Sequence, residues 1–179
     1  MEFTIFLSVR LTRGVGGAYH ASMKHLWAPW RIRYILGAKE TGCFLCRNPQ
    51  AVDDAKNYIL IRDRTCFAIL NAYPYNSGHL MIAPYKHTAE LDDLAENELA
   101  DLLALTRRCK QVLTRALNPD GFNIGMNLGR AAGAGLEDHM HMHIVPRWAG
   151  DTNFMTVADD LRVVPQALDE MYATLRRHL

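Results

Sequence analysis

The sequence lacks most of what specialised classes of protein require. Neither sign of charge dominates, since 20 lysines and arginines stand against 19 aspartates and glutamates. Such a balance does not suit a protein that coats nucleic acid, so any anion site must be local. No apolar run approaches the ~20 residues of a membrane span, and no membrane partner is expected. Cysteine is scarce. Cys43, Cys46, Cys66 and Cys109 are too few and too unevenly spaced for the framework of a small secreted disulfide protein, which points to a reducing cytoplasm. Cys66 and Cys109 sit within apolar patterns and read as buried thiols. Internal repeats, low-complexity tracts and an acidic cluster for catalytic magnesium are also missing. No glycine-rich stretch matches a P-loop or a dinucleotide fingerprint.

What is present suits a single core: 179 residues, 49% of them hydrophobic. Near the N-terminus the apolar run Phe3 to Val9 is followed, not preceded, by Arg10 and Arg13, the wrong order for a secretory signal. A basic transit peptide is the competing reading. Because Met23 opens a more orderly segment, residues 1–22 read as a dispensable extension and 23–179 as the domain. Trp27 and Trp30, split by Pro29, either anchor an N-terminal arm or dimer contact, or wall a substrate cleft.

Strand-like segments come next at residues 58–62, 66–70, 78–84 and 122–128, and the short connections among the first three favour antiparallel neighbours. Between the third and fourth, apolar residues from Leu91 to Leu117 recur at helical spacing, with an irregular first turn, until Asn118-Pro119-Asp120-Gly121 stops them. Residues 165–178 carry the spacing of a closing helix. The fold class is α+β.

Two loops carry chemistry. Cys43-Phe44-Leu45-Cys46, on a turn closed by Asn48-Pro49, offers two thiolates that can reach one zinc ion, half of a tetrahedral site. A redox dithiol is the alternative, but no thioredoxin-like βαβ unit surrounds it. The second loop, Gly129 to Gly135, lets backbone N–H groups approach a phosphate closely, or is simply a turn.

The densest feature is His139-Met140-His141-Met142-His143-Ile144-Val145-Pro146. On an extended strand side chains alternate faces, so the three histidines share one face and Met140, Met142 and Ile144 back onto a core. Three functions compete: a metal site, a solvated polar stripe, and nucleophilic attack by a neutral imidazole on phosphorus. Three histidines in a row span roughly 13 Å, too far for all to meet one ion. The glycine loop favours the third function, because it delivers backbone donors to the start of the strand that carries the nucleophile.

The H-x-H-x-H-φ-φ pattern at His139 to Val145 resembles the signature of the histidine triad (HIT) superfamily of nucleotidyl hydrolases and transferases. The likeness extends to LNAYPYNSGHLMIAPYKH at residues 70–87 and to NLGRAAGAG before the triad, and covers residues 24–179. It is strongest to members acting on diadenosine polyphosphates, including phosphorylases. The resemblance implies a five-stranded antiparallel sheet with a long helix, two copies pairing into a ten-stranded sheet as a homodimer.

It implies further that His141 attacks the α-phosphorus of an adenine nucleotide or dinucleoside polyphosphate and forms a nucleotidyl-histidine intermediate. Water or phosphate then releases the product. His143 would bond the phosphate or leaving group, with His79 behind it. Asn71 would meet the ribose, Phe67 the base, and Gly133 and Gly135 the phosphate. The same resemblance supplies a structural zinc held by Cys43, Cys46, His87 and His139. Where several relatives carry glutamine and serine or threonine before the triad, this chain has Gly135 and Leu136, leaving backbone donors and Asn127 to serve instead. A nucleotide-binding module with little turnover and an enzyme cleaving adenylylsulfate or phosphoramidate are the alternatives.

Overall fold

The computed structural model describes residues 42–151 and 166–179; the extension 1–22, the Trp27 and Trp30 segment, and residues 152–165 lie outside them. Among the described residues five strands form an antiparallel sheet in the order β1-β2-β3-β5-β4. They are β1 Ile59–Arg62, β2 Cys66–Leu70, β3 Leu80–Pro84, β4 Gly121–Met126 and β5 Met142–Arg147. The helices among the described residues are α1 Phe44–Arg47, α2 Glu96–Leu117 and α3 Leu168–Arg176.

Every residue of β2 and β3 is buried, so these central strands show no polar alternation. Their register, Cys66↔Pro84 to Leu70↔Leu80, sorts side chains onto two faces. Cys66, Ala68, Leu70, Leu80, Ile82, Met142 and Ile144 join Leu102, Leu105, Cys109, Val112 and Leu113 of α2 and Met171 and Leu175 of α3 in the main core. Phe67, Ile69, Met81 and Ala83 turn the other way, onto Leu45 and Ile59. Each fully buried leucine contributes roughly 1.5–3 kcal/mol. The expected buried thiols are here, burial pushing Cys66 and Cys109 up to about 12.

Helix α2 begins later than its apolar spacing suggests. Leu91–Asp93 is a separate 3-10 turn, and Glu98 accepts the N–H of Ala95 to open α2 itself. Leu103, counted with the apolar stripe, is 60% exposed, because it lies off the arc that meets the sheet. The helix ends at Asn118, whose left-handed backbone (φ 45°) returns its N–H to Thr114.

Strand β3 starts at Leu80, two residues later than expected. Gly78 belongs to a turn with φ +77°, where a Cβ would lie 2.6 Å from Leu117 Cδ1. Strand β4 stops at Met126 and forms an edge, with Ile124 47% exposed. The histidine segment is less regular than an alternating strand. Only His143 of the three lies in β5, while His139 sits in a bend and His141 just precedes the strand. The cause is Pro84, which has no N–H to extend the ladder, and Thr88, whose carbonyl takes the Met140 N–H at 2.7 Å.

Candidate active site and metal centre

The C-x-x-C segment forms one helical turn, α1, leading into a 3-10 turn at Asn48–Gln50. Leu45, fully buried, anchors it to the sheet. Arg62 of β1 ties down the stretch from Pro49 to Asp54, donating to the carbonyls of Pro49 and Ala51 and to the carboxylate of Asp54. The two cysteines are thereby presented to His87, just past β3, and to His139. The Sγ atoms and one ring nitrogen from each histidine all lie within 4.8 Å of one another.

His139 shows how this cluster is prepared. Its Nε2 is 3.0 Å from the Pro84 carbonyl, which can only accept, so Nε2 carries the proton. Nδ1 is left as a lone pair, 3.2 Å from Cys43 Sγ and 3.2 Å from His87 Nδ1. Burial holds the His139 imidazole below its ordinary value, and burial with the neighbouring Cys43 pushes the Cys46 thiol up. A divalent cation would reverse that penalty. Two thiols and two imidazoles, one fixed by a carbonyl behind it, fit a tetrahedral metal site.

The other histidines form a directed chain. The Tyr75 N–H donates to His79 Nδ1 at 3.1 Å, and Asn71 Nδ2 approaches the same atom at 3.3 Å. Since His79 Nδ1 accepts, its proton sits on Nε2, 2.9 Å from His143 Nδ1. His143 in turn carries its proton on Nε2. Burial first, then the neighbouring histidines, lowers His79 to about 3 and His143 to about 4, so both are neutral near pH 7.

His141 has the opposite tautomer. Its Nδ1 donates to the His139 carbonyl at 2.9 Å, leaving Nε2 with a lone pair. The His141 and His143 rings are 4.7 Å apart and nearly perpendicular. One lone pair and one N–H thus stand side by side, the pairing that nucleophilic displacement with proton donation needs.

The remaining sequence-derived residues fall into four groups. Asn71, at the end of β2, accepts the Tyr73 N–H and faces His79, so its amide is already engaged in the histidine chain. Phe67 is fully covered and stacked on Tyr85 at 5.3 Å, so its ring is not open to a ligand. Gly125 pairs with His143 and Met126 with Met142, so Asn127 leaves β4 at the level of His141. Gly133 has φ +82° and Gly135 is exposed, in a loop whose Leu136 packs on the Leu45 cluster. Three groups escaped sequence reasoning as site elements: the Tyr75 N–H, the Pro84 carbonyl and the His139 carbonyl. Main-chain donors and acceptors leave no residue-type signal.

Comparison with known proteins gives the family. The HIT domain model matches residues 53–150, more than half of the chain. The chain belongs to the HIT family. An AP-4-A phosphorylase of Mycobacterium tuberculosis is 38% identical over 169 residues, 87% of this HIT chain and 83% of that protein. A bis(5'-nucleosyl)-tetraphosphatase (asymmetrical) of Schizosaccharomyces pombe is 32% identical over 93 residues, 52% of this chain and 50% of that one. The solved structure of a Zn-bound histidine triad family protein from Mycobacterium smegmatis superimposes with a TM-score of 0.60 at 27% identity, covering 75% and 90% of the two chains. The expected α+β fold with its five-stranded antiparallel sheet is thus the HIT fold.

Proposed function

We propose that this HIT protein is an enzyme that cleaves an adenine nucleotide polyphosphate, most suitably diadenosine tetraphosphate, at an α-phosphorus through His141. The observation that carries the reading is the opposed tautomers of His141 and His143. His141 Nε2 attacks phosphorus as the bond to the leaving phosphate oxygen breaks. His143 Nε2–H donates to that departing oxygen, and His79 holds His143 in this tautomer. A nucleotidyl group then occupies His141 Nε2 until water or phosphate displaces it. The AP-4-A phosphorylase relative makes phosphate the acceptor to test first. Asn71 and Asn127 are assigned to ribose and phosphate, and the Gly133 to Gly135 backbone to the phosphate oxygens.

Zinc is the metal assigned to Cys43, Cys46, His87 and His139. Two thiolates with two imidazoles and no open position describe a structural site, which holds the His139 segment in place. A homodimer is also part of this reading. The exposed edge of β4, with Ile124 on it, suits pairing with a second copy. Among the described residues no helix is long and apolar enough to cross a membrane. The sparing use of cysteine supports a cytoplasmic location.

The test is turnover of dinucleoside polyphosphates with and without inorganic phosphate, alongside mass spectrometry for a nucleotidyl adduct. Wild type is expected to turn over and to form the adduct at His141. Equal turnover by His141→Ala overturns the assignment.

A further inference from the structure

The chain of fixed protons that ends at His143 begins on the loop between β2 and β3, and the loop is held from a distance. Asn76 donates through Nδ2 to the Pro146 carbonyl at 3.2 Å and to Asp151 Oδ2 at 2.8 Å. Its Oδ1 accepts the Ser77 N–H, and its own carbonyl accepts the His79 N–H. The peptide N–H of the residue before it, Tyr75, is the donor to His79 Nδ1.

Asp151 lies just past the end of β5. Its carboxylate side chain is only 9% exposed, yet it faces donors that include these four. Arg147 approaches through Nε at 2.6 Å and Nη2 at 2.7 Å, the Trp148 N–H at 3.1 Å, and the fourth is Asn76. Arg147 is braced in turn on Asn123 of β4. A carboxylate can only accept, so Asp151 compels the Asn76 amide to point its nitrogen inward and its oxygen at Ser77. Reversal of that amide would set a carbonyl oxygen against both Asp151 and Pro146.

We propose that Asp151 is a positioning residue for the proton-donating half of the site. It orients Asn76, Asn76 holds the Tyr75 peptide, and the Tyr75 N–H, with Asn71 Nδ2 approaching the same nitrogen, fixes which nitrogens of His79 and His143 carry protons. The inference rests on the reading that His143 Nε2–H serves the leaving group. Its reach is specific: Asp151 governs His143 and leaves His141, whose tautomer is set by the His139 carbonyl, untouched.

The experiment combines tautomer spectroscopy with kinetics. In protein carrying 15N-labelled histidine at neutral pH, long-range 1H–15N spectra of wild type should show Nε2–H at His79 and His143 and Nδ1–H at His141. Asp151→Ala should mix the two tautomers at His143 while His141 stays unchanged. Asp151→Asn, which keeps an acceptor for Asn76, should restore the wild-type pattern. Kinetically, Asp151→Ala should lose about tenfold or more in kcat/KM on an adenosine phosphoramidate, whose basic amine must leave protonated, and less than twofold on the 4-nitrophenyl ester of AMP.

Unchanged tautomers in a folded Asp151→Ala protein overturn the proposal. So do equal losses on both substrates, which would make Asp151 a simple staple of the loop. If Asp151→Ala fails to fold, Asn76→Ala carries the same measurements with the same expected and contrary results. If wild type cleaves neither substrate, the nucleotidyl reading fails while the spectra still decide whether Asp151 sets the tautomers.

Discussion

The cysteine–histidine cluster and the histidine chain lie on either side of His141 and use the same side chain in opposite ways. In the cluster, His139 spends its Nε2 proton on the Pro84 carbonyl and offers Nδ1 as a lone pair toward two thiols. In the chain, His143 accepts a hydrogen bond at Nδ1 from His79 Nε2–H and offers its own Nε2–H outward. Between them His141 matches the pattern of neither, donating from Nδ1 to a carbonyl and keeping Nε2 free. An imidazole's role is thus decided by whatever its second nitrogen touches. Three residues spaced two apart take three different hydrogen-bonding states because their hidden partners are a proline carbonyl, a neighbour's carbonyl and another histidine.

The comparison breaks most sharply at its centre. His141→Ala should lower turnover by ~10³-fold or more while leaving metal content and folding as in wild type, measured by steady-state kinetics and elemental analysis. A parallel loss of metal would mean that the two regions are not separable. Next comes the metal side. Cys43→Ser is expected to abolish stoichiometric metal binding and lower the melting temperature by about 10 °C or more, read by elemental analysis and calorimetry. Unchanged stability would reduce the cluster to a bystander.

On the other side, His79→Gln should leave the metal in place and cost about tenfold or more in kcat, with a larger loss for poorer leaving groups. A uniform loss across leaving groups would sever His79 from proton donation.

A smaller effect concerns pH and arises from the same burial. His79 and His143 bind protons less readily in the folded chain, at about 3 and about 4, than at the ordinary 6.5 of the unfolded one. Below 6.5 the unfolded state therefore takes up more protons. Stability is fully present above pH 6.5 and is lost as pH falls from there toward 4, by roughly 2 kcal/mol between pH 7 and 5 once the partial exposure of His143 is discounted. Denaturant titrations of wild type and His79→Gln check this, since the variant should show the shallower pH dependence. Smallest for the site itself is Ile124→Asp on the edge of β4, expected to shift a homodimer toward monomer by light scattering while the metal cluster stays loaded.

Much of this was legible along the chain because it depends on local periodicity. The helical recurrence from Leu91 to Leu117 and the apolar blocks at residues 58–62 and 66–70 are short-range patterns, and the elements stand where those patterns do. The HIT resemblance likewise rested on contiguous motifs. Boundaries were less readable. The delayed start of α2 depends on Glu98 reaching back to Ala95, and the late start of β5 depends on Pro84 and Thr88, more than fifty residues earlier. Strict alternation put three histidines on one strand face, whereas a proline without an N–H ended the ladder and let His139 turn toward the cysteines.

What the sequence determined by itself is the inventory: a C-x-x-C pair, isolated histidines at His79 and His87, a triad backed by methionines, and strands apolar enough to be covered on both faces. These are properties of residue type and spacing, which survive in one dimension. Only the tertiary structure decided which nitrogen of each histidine is a donor. That choice belongs to main-chain carbonyls and N–H groups brought together from β3, the loop before it and the segment leading into β5. Every residue but proline carries the same two backbone groups, so no reading of side chains alone can say which of them will meet.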